Sequence, residues 1–163
     1  MVNLTIDGNS VSVPEDYTIM EAAKSIGIKI PGLCHYEGIH KFGSCRICVV
    51  EVEGYARLQA SCLAKVVEGM VVRTSTQRVR HARRVLYELL LSDHDKQCLS
   101  CSRNQSCELQ ELGNTLGVFE TRFDGEHSEY NYDTSVAITR DMSKCVLCRR
   151  CVTMCNEVQG VGT

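Results

Sequence analysis

Eleven cysteines in a chain of 163 residues are the side chains with the most chemistry to offer, and they fall into three groups. Cys34, Cys45, Cys48 and Cys62 are separated by gaps of ten, two and thirteen residues. A Cys-x-x-Cys pair on a loop can offer two thiolates to one iron, and two more arriving from elsewhere can bind the second iron of a 2Fe–2S cluster. In the run Gly43-Ser44-Cys45-Arg46-Ile47-Cys48, a glycine lets backbone approach such a cluster, and N–H groups can donate to its sulfides. Plant-type ferredoxins have four residues in the first gap, so ten implies a wider loop. Structural zinc also takes four thiolates and is the rival; the spacing favours iron and sulfide.

The second group, Cys98, Cys101 and Cys107, is one thiolate short of a cubane's four. His94 precedes it between Asp93 and Asp95, where one aspartate can hold the other ring nitrogen. A neutral imidazole in place of a thiolate removes a negative charge and raises the reduction potential. Zinc on three cysteines and a histidine is the rival here. His35, His40, His81 and His127 are read as ordinary surface or core residues. The third group, Cys145-x2-Cys148-x2-Cys151-x3-Cys155, is the bacterial ferredoxin run for 4Fe–4S clusters, whose fourth cysteine serves the neighbouring cluster. Asn156 stands where a proline is customary, and the chain ends eight residues after Cys155, before a second run of four; truncation is the reading favoured. The three groups use all eleven cysteines.

So odd and dense a cysteine count points to metal in a reducing compartment rather than to disulfides. The net charge of −2 gives no basic attraction to nucleic acid or acidic membranes. The sequence shows neither a long apolar run nor a secretory signal, so a cytoplasmic location is expected. No general base, nucleophile or phosphate-cradling glycine loop is evident. The chain is expected to be a relay, not a catalyst, and to bind neither nicotinamide nor flavin.

The elements that must position these groups follow from periodicity. Val2, Leu4 and Ile6 alternate, Asp7-Gly8 turns the chain, and Val11 and Val13 resume the alternation, predicting a hairpin. Thr18 and Glu21 form a capping box for a helix with Ile19, Ala22, Ala23 and Ile26 on one face, ended by Gly27 and Pro31. Strands are expected over 47–53, 55–59 and 70–74, with a long loop over 32–46. Residues 77–91 predict a helix with Val79, Ala82, Leu86, Leu89 and Leu90 inward and Arg78, Arg80, Arg83 and Arg84 mostly off that stripe, as a solvated face. A shorter helix is expected over 107–116, with Leu109, Leu112 and Leu116 inward and Gly117 ending it. A polar connector over 124–135 and a strand over 136–139 lead to the last cysteine run. The class is α+β, with boundaries near residues 76 and 125: a first domain 1–76, a helical domain 77–125, and 126–163.

In its motifs GSCRICVVEVEG with Cys34 and Cys62, LLLSDHDKQCLSC with Cys107, and SKCVLCRRCVTMCNEVQGVG, the chain resembles the N-terminal region of the large subunit of NAD(P)-linked iron-only hydrogenases. It is also similar to the large subunit of the NADH dehydrogenase arm of complex I and to the front of NAD-dependent formate dehydrogenases. The resemblance covers essentially the whole chain, and the ending CNEVQGVG looks most like the hydrogenase branch. It implies a β-grasp 2Fe–2S ferredoxin domain on Cys34, Cys45, Cys48 and Cys62. A small helical domain would hold a 4Fe–4S cluster on His94, Cys98, Cys101 and Cys107. Then would come the first half of a bacterial-type 4Fe–4S ferredoxin domain, with Cys145, Cys148 and Cys151 on one cluster and Cys155 on its neighbour. The implied partners are a flavin- and NAD(P)-binding subunit and a small 2Fe–2S subunit, with a ferredoxin as a further candidate. An electron-bifurcating parent falls within the same resemblance. A zinc-stabilised, non-redox interaction protein is the alternative of another class.

Overall fold

Alternation in the first thirteen residues builds strands β1 (Val2–Ile6) and β2 (Asn9–Val13), paired antiparallel from Val2↔Val13 to Ile6↔Asn9. The turn between them is tight because Asp7 and Gly8 both take positive φ (48° and 85°), the geometry that suits a two-residue hairpin. The computed structural model describes residues 1–39, 41–125, 133–134, 136 and 139–162.

Helix α1 (Ile19–Ser25) starts at the expected capping box: Thr18 accepts from the Glu21 N–H, and the Glu21 carboxylate accepts from the Thr18 N–H at 2.8 Å. Its face of Ile19, Ala22 and Ala23 is buried against Leu4, Ile6, Val50, Val52 and Val72 of the sheet. The sheet also contains β3 (Val49–Val52), β4 (Gln59–Ala60) and β5 (Val71–Arg73), in the order β2-β1-β5-β3-β4. β5 lies parallel to β1 and antiparallel to β3, so the last strand made is the middle one.

The return strand expected over 55–59 begins only at Gln59, opposite Val50, because residues 53–58 are spent on turns and bends around Gly54. The strand expected from residue 47 begins at Val49, since Ile47 and Cys48 lie in the turn that follows left-handed Arg46.

Helix α2 (Gln77–Ser92), capped by Thr76, packs against β3 on the sheet face opposite α1. The predicted stripe is rotated. Val79, Arg83, Tyr87 and Glu88 are buried, whereas Leu89 is half exposed. Arg83 therefore does not belong to a solvated face: its Nη2 donates to the Val49 carbonyl at 2.8 Å. Helix α3 (Glu108–Leu116) runs as expected, with Leu109 and Leu112 buried and left-handed Gly117 ending it.

A second core gathers Leu33, Cys34, Cys45 and Ile47 with Tyr87, Leu109, Leu112 and Val118, and Val146 and Cys148 pack on it. Short strands β6 (Asp133–Thr134) and β7 (Thr139–Arg140) pair antiparallel. Of the strand expected over 136–139, Ala137 and Ile138 lie outside the described residues, Val136 sits in a bend, and only Thr139 is strand. Most of the expected connector, like His40 and His127, also lies outside them. Helix α4 (Arg150–Thr153) continues into a wider π turn over Met154–Val158. Among the described residues no helix is long and apolar enough to cross a membrane.

Candidate iron–sulfur centres

The first cysteine group is assembled by the sheet and its long loop. Cys48 precedes β3, Cys62 follows β4, and Cys34 and Cys45 lie in the loop. All four are at most 5% exposed. Ser61 fixes the β3–β4 end by donating both its N–H (3.2 Å) and its hydroxyl (2.7 Å) to the Cys48 carbonyl. The Cys48 and Cys62 sulfurs then stand 3.3 Å apart. Cys48 and Cys62 belong to the sheet core, and Cys34 and Cys45 to the second core, so the site lies on the seam between them. Gly43 enters this loop at φ 69°, the left-handed region that favours glycine, with the Leu63 side chain lying against it.

Sulfurs this close compete for protons. A hydrogen bond from Cys45 pulls the Cys34 thiol down to about 4, against the opposing effect of burial, while the same contact pushes Cys45 up. Cys62 likewise pulls Cys48 down to about 6 and is itself pushed up. Buried sulfurs that share protons in pairs form a donor set that a multiply charged iron core satisfies by taking all four as thiolates.

The second group lines one cavity of about 280 Å³, into which His94, Cys98, Cys101 and Cys107 all face, beside Tyr87 and Leu109. His94 follows the end of α2, Cys98 opens a 3-10 turn, and Cys107 is the N-cap of α3. Among the described residues His94 Nδ1 is buried with no hydrogen-bond partner, an orphaned polar atom that metal coordination would satisfy. Burial, the largest influence, lowers its pKa and keeps the ring neutral, the form that binds metal. The Asp95 carboxylate accepts from the Gln97 N–H at 3.0 Å. Tyr87 hydroxyl donates to the Leu109 carbonyl at 3.1 Å, and buried Gly113 makes room for it. Neither was evident from periodicity alone.

The third group is carried by backbone bends. Leu147 and Arg149 are left-handed (φ 52° and 62°), and the Leu147 N–H donates to Cys145 Sγ at 3.4 Å. The Arg103 N–H makes the same bond to Cys101 Sγ. Four of the five described non-glycine residues with positive φ, Arg46, Gln105, Leu147 and Arg149, lie inside the cysteine motifs. Such turns aim successive N–H groups inward and are costly for residues with a Cβ, as at sites that cradle anions.

Arg150 ties the groups together. Its Nη1 grips both Glu108 carboxylate oxygens (2.8 and 2.9 Å), Nε donates to the Cys34 carbonyl (3.3 Å), and Nη2 to that of His35 (3.1 Å). Its neighbour Arg149 lies over the Phe42 ring at 4.3 Å. A second cavity, of about 420 Å³, is lined by His94, Cys101 and Cys107 on one side and Cys148 and Arg150 on the other. Cys145, Cys148 and Cys155 are half-buried and Cys151 is exposed.

Residues 1–77 match a family described as a 2Fe–2S iron–sulfur cluster binding domain, and residues 83–122 match the NADH-ubiquinone oxidoreductase-G iron–sulfur binding region. A crystal structure of an NAD+-reducing nickel–iron hydrogenase in the H2-reduced state superposes with a TM-score of 0.90 at 32% identity, covering 98% of this chain and 67% of that one. The chain belongs to the iron–sulfur relay family of NAD(P)-linked hydrogenases and NADH dehydrogenases. Within this relay family it is 51% identical over 168 residues to the NADP-reducing hydrogenase subunit HndD of Solidesulfovibrio fructosivorans, covering 99% of this chain and 29% of that subunit. It is 37% identical over 163 residues to the NADH-ubiquinone oxidoreductase 75 kDa subunit of Reclinomonas americana, covering 99% of this chain and 23% of that one. The chain thus spans less than a third of the length of either relative.

Proposed function

We propose that this relay holds its clusters on three ligand sets and serves the front of an NAD(P)-linked iron-only hydrogenase. The sets are Cys34, Cys45, Cys48 and Cys62 for 2Fe–2S; His94, Cys98, Cys101 and Cys107 for 4Fe–4S; and Cys145, Cys148 and Cys151 for a further 4Fe–4S, with Cys155 serving its neighbour. The proposed units are a β-grasp domain over 1–76, a helical domain over 77–125, and a connector with a partial ferredoxin domain over 126–163. The observation that carries the reading is the meeting of all three groups around one apolar core, with Arg150 bonded to residues beside the other two sets.

When bound, the clusters supply one-electron carriage at potentials set by ligand type, hydrogen bonds to sulfur and exposure. The chain's own residues do the rest. Burial excludes water from the first set, N–H groups donate to Cys101 and Cys145, and neutral His94 spares its site one negative charge.

The similarity to the NADP-reducing subunit supports the hydrogenase parent, and the intact Cys145–Cys155 run supports that branch over complex I. The structural likeness to a nickel–iron enzyme supports the relay itself, whichever metal splits hydrogen. The partners are a flavin- and NAD(P)-binding subunit and a small 2Fe–2S subunit, in the cytoplasm. Iron and acid-labile sulfide analysis with paramagnetic resonance of the reduced protein tests the reading. The expected result is a 2Fe–2S signal together with 4Fe–4S signals. Stoichiometric zinc without sulfide would sink it.

A further inference from the structure

We propose that Arg83 is the buried counter-charge of the first iron–sulfur site, favouring its reduced state and holding its potential above that of the same cluster without it. The inference rests on the assignment of Cys34, Cys45, Cys48 and Cys62 to a 2Fe–2S centre.

Arg83 is 6% exposed, yet among the described residues it makes one hydrogen bond, from Nη2 to the Val49 carbonyl, and its buried Nε has no partner. No carboxylate among the described residues lies within ion-pair distance of it. Other arginines of the region differ: Arg78 pairs with Glu51 at 3.5 Å, and Arg122 with buried Glu88 at 2.8 Å. A guanidinium taken out of water without a counter-ion costs several kcal/mol, and proteins avoid that cost by pairing. The charges that attract Arg83 are those of Cys48 and Asp7. Asp7 is already engaged, accepting from the Thr74 N–H at 2.7 Å and from the Thr74 hydroxyl. Cys48 adjoins the residue that Arg83 bonds. Four thiolates around two irons and two sulfides carry net negative charge, and reduction adds one unit more. A fixed cation beside them lowers the energy of the reduced form more than that of the oxidised form.

Helix α2 supplies its own control. Arg83 bonds the residue next to Cys48, and the end of α2 at Ser92 lies nine residues on, roughly 14 Å along the helix at about 1.5 Å per residue, with His94 beyond it. The effect should therefore concentrate on the first centre.

The test is a potentiometric titration followed by paramagnetic resonance on the anaerobically cluster-loaded chain, comparing Arg83→Gln, Arg83→Met and Arg83→Lys with the parent. In the Gln and Met variants the 2Fe–2S centre should titrate at lower potential. Its reduced-to-oxidised ratio at a fixed potential should fall roughly tenfold, with the 4Fe–4S signals almost unmoved. Lys should restore most of the shift. An unshifted 2Fe–2S potential in Gln and Met, or a Lys variant shifted as far as they are, would overturn the proposal. Loss of the centre in Gln and Met but not in Lys supports a need for charge. Loss in all three assigns Arg83 to its bond with Val49 alone and also overturns it. Absence of a 2Fe–2S signal from the parent protein would instead defeat the ligand assignment.

Discussion

The first and third cysteine groups hold the same kind of ligand in opposite surroundings. The first sits where two cores meet, its sulfurs all but sealed from water. The third sits on bends and one short helix, its sulfurs half-buried or exposed, fastened to the body through Arg149 and Arg150. A sheet that packs through Leu4, Ile6, Val50 and Val72 can present a pocket without help from metal. A run whose residues reach no core of their own takes its shape from its ligand and from its docking.

Metal removal should break the symmetry most. In iron-free protein, amides of residues 139–162 are expected to exchange freely, while those of β1, β3 and β5 keep most of their protection, as hydrogen exchange would read. Uniform loss across both regions would refute the contrast. His94→Ala should abolish one 4Fe–4S signal and leave the 2Fe–2S signal intact; unchanged iron content and spectrum would strike His94 from the ligands. Arg150→Ala should weaken docking of the third group by about 2 kcal/mol, and a double-mutant cycle with Glu108→Gln should recover about half of that as coupling. Gly43→Ala should destabilise the first site by about 1–2 kcal/mol in chemical denaturation. It should cost more than Gly38→Ala, which shares the positive φ but meets no neighbour within 4 Å.

The smallest effect concerns acid. Burial alone would raise the Glu21 carboxyl, but hydrogen bonds from Lys41 and Thr18 outweigh it and hold the group down at about 2. A depressed carboxylate stabilises the fold above its unfolded value near 4.5, and that contribution fades as pH falls towards 2. Iron-free Glu21→Gln should melt below the parent at neutral pH, and the two should converge as pH falls towards 2 in a series of thermal melts.

Legibility in the sequence followed locality. The hairpin at Asp7-Gly8, the capping box of Thr18 and Glu21, and the stop at Gly117 depend on neighbours a few residues away, and each formed where periodicity put it. The cysteine groups were plain from spacing. Arg83 was misread because its acceptor, Val49, is 34 residues distant. Its position four residues after Val79 and four before Tyr87 was the available clue. Arg150 escaped notice because its acceptors lie 42, 115 and 116 residues away. The left-handed turns at Arg46, Gln105, Leu147 and Arg149 run against ordinary preference for residues with a Cβ, so no propensity could foretell them. The β3–β4 connection takes up residues 53–58, although Tyr55 within it is β-prone.

The order β2-β1-β5-β3-β4 has a consequence during synthesis on the ribosome. Until residues 71–73 emerge, the nascent polypeptide holds two hairpins with nothing between them, although the thiol at position 62 has already been made. The wedge that joins them arrives after every ligand of the first set. A stalled product ending before Val71 would carry all four sulfurs and no walls to shelter them.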